Sequence, residues 1–236
     1  MKSERKRKVY DLLKAIETGD PKGVEVVNES QYIQHNPQTQ EGSEGLAQLF
    51  ARLAKTNPKV DIVRLFEDGD FVFGHTIYDF ATVRIGFEVF RYEGDQIVEH
   101  WDNIQPRSGD MVAGATDIED LDQTESNRTL IQRYLEQVFI NKNKDLQSEF
   151  IDSGGYIERS TFMHLKDKSR AMDYEKTHRI LAEGNFVLSV NEGQNQGEHY
   201  SFYDLFRLKN GMIVEHWDTS EKVPHKSEWK NDNGKF

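Results

Sequence analysis

The sequence places His and Asp two residues apart twice, at His100 and Asp102 and at His216 and Asp218, inside the identical hexapeptides Ile97–Asp102 and Ile213–Asp218. Fourteen residues before each final Asp stands another carboxylate, Glu88 in the first copy and Asp204 in the second. Carboxylates and imidazoles exchange protons near neutrality, and a carboxylate buried among apolar groups is pushed up toward that range. Such a set can take a proton from a carbon next to a carbonyl and return it elsewhere. That chemistry needs no cofactor.

Whether these groups meet depends on the strand that carries them. On a β-strand His100 and Asp102 share one face, and Glu99 and Trp101 share the other. If Gly94 and Asp95 form a two-residue hairpin loop, Glu93 pairs with Gln96 and Glu88 lies opposite Trp101. If Glu93, Gly94 and Asp95 form a three-residue loop, Tyr92 pairs with Gln96 and Glu88 lies opposite His100. The second copy has Asn210-Gly211 at the matching turn, which favours the two-residue form. In the three-residue register Glu88, His100 and Asp102 line one pocket, desolvated by Phe73, Phe90 and Tyr92, with His35 and His75 as further candidates. The plainer alternatives are that Glu88 pairs with an Arg, that His100 is a structural histidine and that Trp101 is a core aromatic.

The elements that would position these residues come in the same order twice. Val9, Leu12, Leu13 and Ile16 make one helical face, stopped by Gly19-Asp20-Pro21. Residues 21–29 read as a short second helix. Pro37 keeps Asn36 out of the α region, so His35 and Asn36 sit on a loop. Leu46, Leu49, Phe50 and Leu53 predict a third helix over 45–54. The period then changes to two, and strands are expected at 60–66, 71–80, 85–92 and 96–104. The second copy repeats this with a helical stripe from Leu130 to Phe139 and strands near 174–182, 186–191, 200–208 and 212–219. Phe87–Arg91 aligns with Tyr203–Arg207 at the same spacing as the hexapeptides. The expected division is a first unit over 1–106, an acidic linker over 107–125, a second unit over 126–222 and a tail over 223–236.

Composition narrows the function classes. A formal charge of −11 and a pI near 5.2 argue against a nucleic-acid surface, which needs clustered Lys and Arg. The acidity concentrates in the joint, where residues 106–125 hold six acids and one base. No cysteine occurs, so disulfides, thiol nucleophiles and Cys-based metal sites are excluded. No apolar run approaches the roughly 18 residues that span a bilayer, and Tyr10–Lys14 stands where a signal peptide would have its apolar core. The expectation is a soluble, cytoplasmic protein with no membrane or nucleic-acid partner. His35, His75, His100 and Asp102 are ligand types that suffice for zinc or iron, but no paired-His motif on one helix gathers them, so no metal is assigned.

Helices followed by an antiparallel meander predict an α+β layer in which helices cover one face of a curved sheet and enclose a pocket. Together with that order, Tyr32-Ile33-Gln34-His35-Asn36-Pro37 and Gly94-Asp95-Gln96-Ile97-Val98-Glu99-His100-Trp101-Asp102 resemble the SnoaL-like polyketide cyclases of the NTF2-like superfamily. The resemblance covers most of 9–106 and, more loosely, 127–220. It implies two tandem cone-shaped α+β units with the counterparts of Glu88 and Asp102 together in the cavity, and so favours the three-residue loop. It also implies Asp102 as the general acid/base of an intramolecular aldol closure or isomerisation on a polyketide-like carbonyl compound. His35 or Glu88 would hold the substrate oxygen. His75, His100 and Asn36 are then the binding residues. The alternative is a non-catalytic small-molecule binding or accessory protein.

The copies are not equivalent. Tyr32–Pro37 corresponds to Tyr156-Ile157-Glu158-Arg159-Ser160-Thr161, and His75 corresponds to Val190. Asp204, His216 and Asp218 survive, while Arg159 would favour an anion in the second pocket. NTF2-like units commonly pair through their sheets, so the resemblance implies the second copy as a built-in partner, with a further homodimer as an additional possibility.

Overall fold

The structure is a computed structural model that describes residues 3–159 and 172–236. Two compact units emerge, one formed by Met1–Arg107 with Val223–Phe236 and the other by Ser108–Lys222.

In unit 1 the first helix, α1, spans Glu4–Thr18. Ser3 caps it by accepting from the Lys6 amide, and Gly19 ends it at φ 68, a left-handed conformation that costs Gly little. Val9, Leu12, Leu13 and Ile16 are all buried, as their spacing predicts. The second expected helix shrinks to a 3₁₀ turn at Pro21–Val24. Its continuation is claimed by the sheet instead, since Val27 bridges to Ile97 and strand β1, Ile33–Gln34, pairs in parallel with residues 99 and 100. Helix α2 covers Gly42–Ala54 and buries Leu46 and Phe50.

Strands β2 (Lys59–Asp68), β3 (Phe71–Asp79), β4 (Val83–Glu93) and β5 (Gln96–Pro106) complete a sheet of order β1-β5-β4-β3-β2. The sheet is therefore mixed, with β1 as its parallel edge. Unit 2 repeats the plan. Helix α3, Thr124–Tyr134, runs into a π-helical turn at Leu135–Ile140. Strands β6 (Ile157–Glu158), β7 (Met172–Glu183), β8 (Phe186–Asn195), β9 (Glu198–Lys209) and β10 (Met212–Lys222) follow in the order β6-β10-β9-β8-β7. This is the two-unit α+β architecture that the resemblance implied.

The β4–β5 register differs from both registers weighed above. Glu93 does pair with Gln96 around a two-residue turn, with Gly94 at φ 58. A bulge then inserts Val98, so Arg91 pairs with Glu99, Phe90 with His100 and Glu88 with Asp102. The tight turn and the shared face coexist because one extra residue reverses the alternation. Unit 2 has the same device: Asn210 and Gly211 both take positive φ, Val214 is the extra residue, and Asp204 faces Asp218.

The joint and the tail are both packed. In unit 2, Ala113 accepts from the Trp217 indole at 2.9 Å, and Glu119 exchanges hydrogen bonds with Asn185 at 2.9 and 3.1 Å. In unit 1, residues 230–235 run as a strap across residues 34–41: the Lys230 amide donates to Pro37, the Asn231 side chain to the carbonyls of Asn36 and Thr39, and the Asn233 side chain to the carbonyl of Gln34. Among the described residues, no helix is long and apolar enough to cross a membrane. Asn231→Ala should leave two carbonyls without their donor, at a cost of about 1–3 kcal/mol. The check is a lower urea midpoint for unit 1 at unchanged slope, and an unmoved midpoint would mean that the strap is not fastened there.

Candidate functional site

Two helices and four strands converge on one cavity in unit 1. Helices α1 and α2 roof it with Leu13, Ile16 and Phe50, the sheet supplies Gln34, Tyr78, Glu88, Phe90, His100 and Asp102, and Tyr32 joins from just before β1. Its free volume is about 70 Å³.

Glu88, 2% exposed, lies at its centre. One carboxyl oxygen accepts from the Tyr78 hydroxyl at 2.7 Å, and the other is 2.7 Å from His100 Nε2. The remaining ring nitrogen, Nδ1, is 3.2 Å from Gln34 Oε1, which also accepts from the Asn36 amide. That oxygen can only accept, so Nδ1 carries a hydrogen and the proton between Nε2 and Glu88 belongs to the pair. Burial pushes the Glu88 carboxyl up from its ordinary value, while the hydrogen bond and charge of His100 pull the other way. Phe90 stacks on the imidazole at 4.5 Å. Burial, together with the nearby carboxylates, also pushes the Tyr32 and Tyr78 phenols well up, so both remain hydroxyl donors. Asp102, opposite Glu88, accepts from Asn36 Nδ2 at 2.7 Å and pairs with the buried Lys235 ammonium at 3.4 Å.

Glu88, His100, Asp102, Asn36 and Phe90 therefore come together as expected. His35 does not join them. Alternation along β1 turns Gln34 toward His100 and His35 to the opposite face, where it stacks on Trp101 at 4.6 Å and pairs with Glu99 at 2.9 Å. His75 and Phe73 also leave the pocket face, because their neighbour Gly74 is the one opposite Glu88; His75 contacts Arg64 and Phe87, and Phe73 contacts Phe66 and Phe87. Tyr92 packs in the same core but aims its hydroxyl at the Arg5 carbonyl. The sequence reading missed Tyr78, the tail residue Lys235, and Tyr32 and Gln34, which stood in a quoted motif whose strand character is too short to show as a period.

Glu88, His100 and Asp102 each offer a ligand atom within 4.8 Å of the others, so this is the one group among the described residues with metal-ligand spacing. The Lys235 ammonium beside Asp102 is a poor neighbour for a cation.

Unit 2 holds the same groups in a different electrical state. The His216 ring sits between Asp204 at 3.0 Å and Glu158 at 2.8 Å, where unit 1 has Glu88 and Gln34. Burial alone would lower its pKa, but the two carboxylates override it and push it up to about 10. Asp204 also accepts from Tyr174 and Asn191, and Asp218 faces it across the strands. Arg159 does not reach this site. It takes the place of His35 on the other face, pairing with Glu215 and Asp110. Ser160 and Thr161 lie outside the described residues.

No family model and no curated protein matches the chain. Among solved structures it is similar to TsrD from Streptomyces laurentii, with 19% identity over 42% of this chain and 86% of that one at a TM-score of 0.37. It is similar to an NTF2-like protein of unknown function from Cytophaga hutchinsonii, with 20% identity over 45% and 96% at a TM-score of 0.38. A third is an LEH-like epoxide hydrolase of M. tuberculosis, with 20% identity over 43% and 83% at a TM-score of 0.37. Residue roles rest on the geometry of this chain alone.

Because the folded pKa of His216 is raised, its contribution to stability is complete below about pH 6.5 and is lost as pH rises toward about 10. Glu158→Gln, which gives unit 2 the Gln34 arrangement, should lower the His216 midpoint toward neutrality in a ring-nitrogen NMR titration. An unchanged midpoint would remove the two-carboxylate explanation.

Proposed function

We propose that unit 1 is a cofactor-independent acid–base centre for a small carbonyl compound. The observation that carries this reading is the buried Glu88–His100 pair facing Asp102 in an aromatic cavity, with two phenolic donors beside it. Asp102 removes a proton from the carbon next to the carbonyl, and Tyr32 donates to the oxygen as it gains charge. The Glu88–His100 pair supplies a proton where the product needs one, so an enolate can be reprotonated elsewhere, as in an isomerisation, or close on a second carbonyl, as in an aldol cyclisation. In the latter the new C–C bond consumes the enolate pair and the alkoxide takes the proton. Asn36 and Lys235 fix both oxygens of Asp102, which supports a positioned base.

A second reading is favoured by one observation. A free volume of about 70 Å³ is small beside the roughly 300–1,000 Å³ of ordinary ligand pockets, which suits a binding or accessory protein without turnover.

Exchange of α-hydrogens for deuterium separates the two readings without knowledge of the final product. Wild-type protein should accelerate exchange of acetone, hydroxyacetone or levulinate in D₂O, followed by proton NMR. Asp102→Asn should reduce the acceleration roughly 10²- to 10⁴-fold, and Asp218→Asn should leave it within about two-fold. No acceleration over buffer for any of the three, or loss in Asp218→Asn alone, would overturn the assignment to unit 1.

A further inference from the structure

The inner cavity adjoins a second one of about 210 Å³, which shares Thr39 and Leu49 with it. Gln38, Gln48, Arg52 and Lys230 also line this outer groove. Arg52 and Lys230 are its only charged lining groups. The chain has 41 acidic and 30 basic residues, and Arg91, Arg159, Arg207 and Lys235 are each paired with a carboxylate. Among the described residues, by contrast, neither Arg52 nor Lys230 has an ion-pair partner. On the Arg52 side, Glu41 is engaged by Asn233 and Glu44 by Gln48, and on the Lys230 side Glu228 and Asp232 flank the lysine at two residues without lining the groove.

The backbone under each cation is fixed, while the charged ends are exposed. Arg52 is in the last turn of α2. Lys230 belongs to the strap, where its own amide donates to Pro37 at 2.8 Å and the next side chain, Asn231, grips the Asn36 and Thr39 carbonyls at 2.8 and 3.0 Å. Thr39, 7% exposed, stands between the two cavities, and its hydroxyl has no hydrogen-bond partner among the described residues.

We propose that the outer groove binds the anionic end of the substrate, a carboxylate or phosphate a few bonds from the carbonyl group that enters the inner cavity past Thr39. This rests on the acid–base reading of the inner cavity and extends it to a substrate class. Size points the same way, because the inner cavity alone holds only a fragment, while the two together approach the lower bound of ordinary ligand pockets. A chain of charge −11 repels anions at long range, so two unpaired cations beside a reactive pocket provide local selection for an anionic ligand.

The test compares levulinate, a keto acid, with methyl levulinate, its neutral ester, and adds dihydroxyacetone phosphate as the phosphate-bearing probe. Binding to the full chain is read from amide shifts in a ¹⁵N–¹H NMR titration. At least one of the two anions should bind about five-fold or more tighter than the ester. The exposed pair Arg52→Ala/Lys230→Ala should abolish that preference without changing ester binding, and added salt should weaken the anions selectively. The response of each anion separately tells carboxylate from phosphate. An ester that binds as well as both anions, or a preference that survives the double variant, overturns the proposal. Anion binding through Arg52 and Lys230 with no α-hydrogen exchange leaves the groove assignment standing and removes the acid–base reading. Circular dichroism of the double variant confirms that it folds.

Discussion

One extra residue in strand β5 decides what this protein can do. Without the bulge at Val98, the two-residue turn at Gly94 and Asp95 would set Glu88 against Trp101 and turn it away from His100. With it, Glu88 faces Asp102 and His100 is close enough to share a proton with it. The same bulge at Val214 in unit 2 brings Asp204 opposite Asp218. The cluster is expensive to bury, and it persists because its polar atoms are partnered by one another or by β1, the loop after it, β3 and the strap. Unit 1 thus depends on a register, and the register on a local irregularity.

On that shared frame, small exchanges give the two units different electrostatics. Gln34 opposite His100 leaves one carboxylate on the ring, while Glu158 opposite His216 puts one on each side. A buried histidine held by two carboxylates is a charged pin, and removing one partner of such an interaction commonly costs about 3–5 kcal/mol. The tyrosine that donates to the central carboxylate is exchanged across neighbouring strands: Tyr78 pairs with Val60 in unit 1, and Tyr174 pairs with Gly193 in unit 2. In both units a phenol hydroxyl donates to the central carboxylate, from a different strand in each.

Much of this was legible in the sequence. The repeated hexapeptide located the duplicated final strand, and the change of period from 3.6 to two located the helices and the meander. Glu88, His100 and Asp102 were rightly placed on one face, although neither turn considered was correct alone, because a bulge leaves no signature in hydrophobic alternation. His35 was misplaced for a related reason: Ile33 and Gln34 form a strand too short to show a period, so nothing in the sequence said which of Gln34 and His35 faces inward. Tyr78 stood in an expected strand, but its role needs the β3–β4 register. Lys235 and Lys230 reach the site from 133 and about 190 residues away in sequence, and no local pattern carries such a contact.

Burial raises the pKa of the Glu88 carboxyl above its ordinary value and outweighs the lowering by His100. The most direct measurement is a carbon-detected NMR titration of protein labelled at the glutamate side-chain carboxyl, with the Glu88 signal assigned from Glu88→Gln. The account predicts a midpoint above the ordinary 4.5. A Glu88 that titrates at or below 4.5 would show that it is a plain ion-pair partner of His100, and the acid–base reading of unit 1 would fall with it.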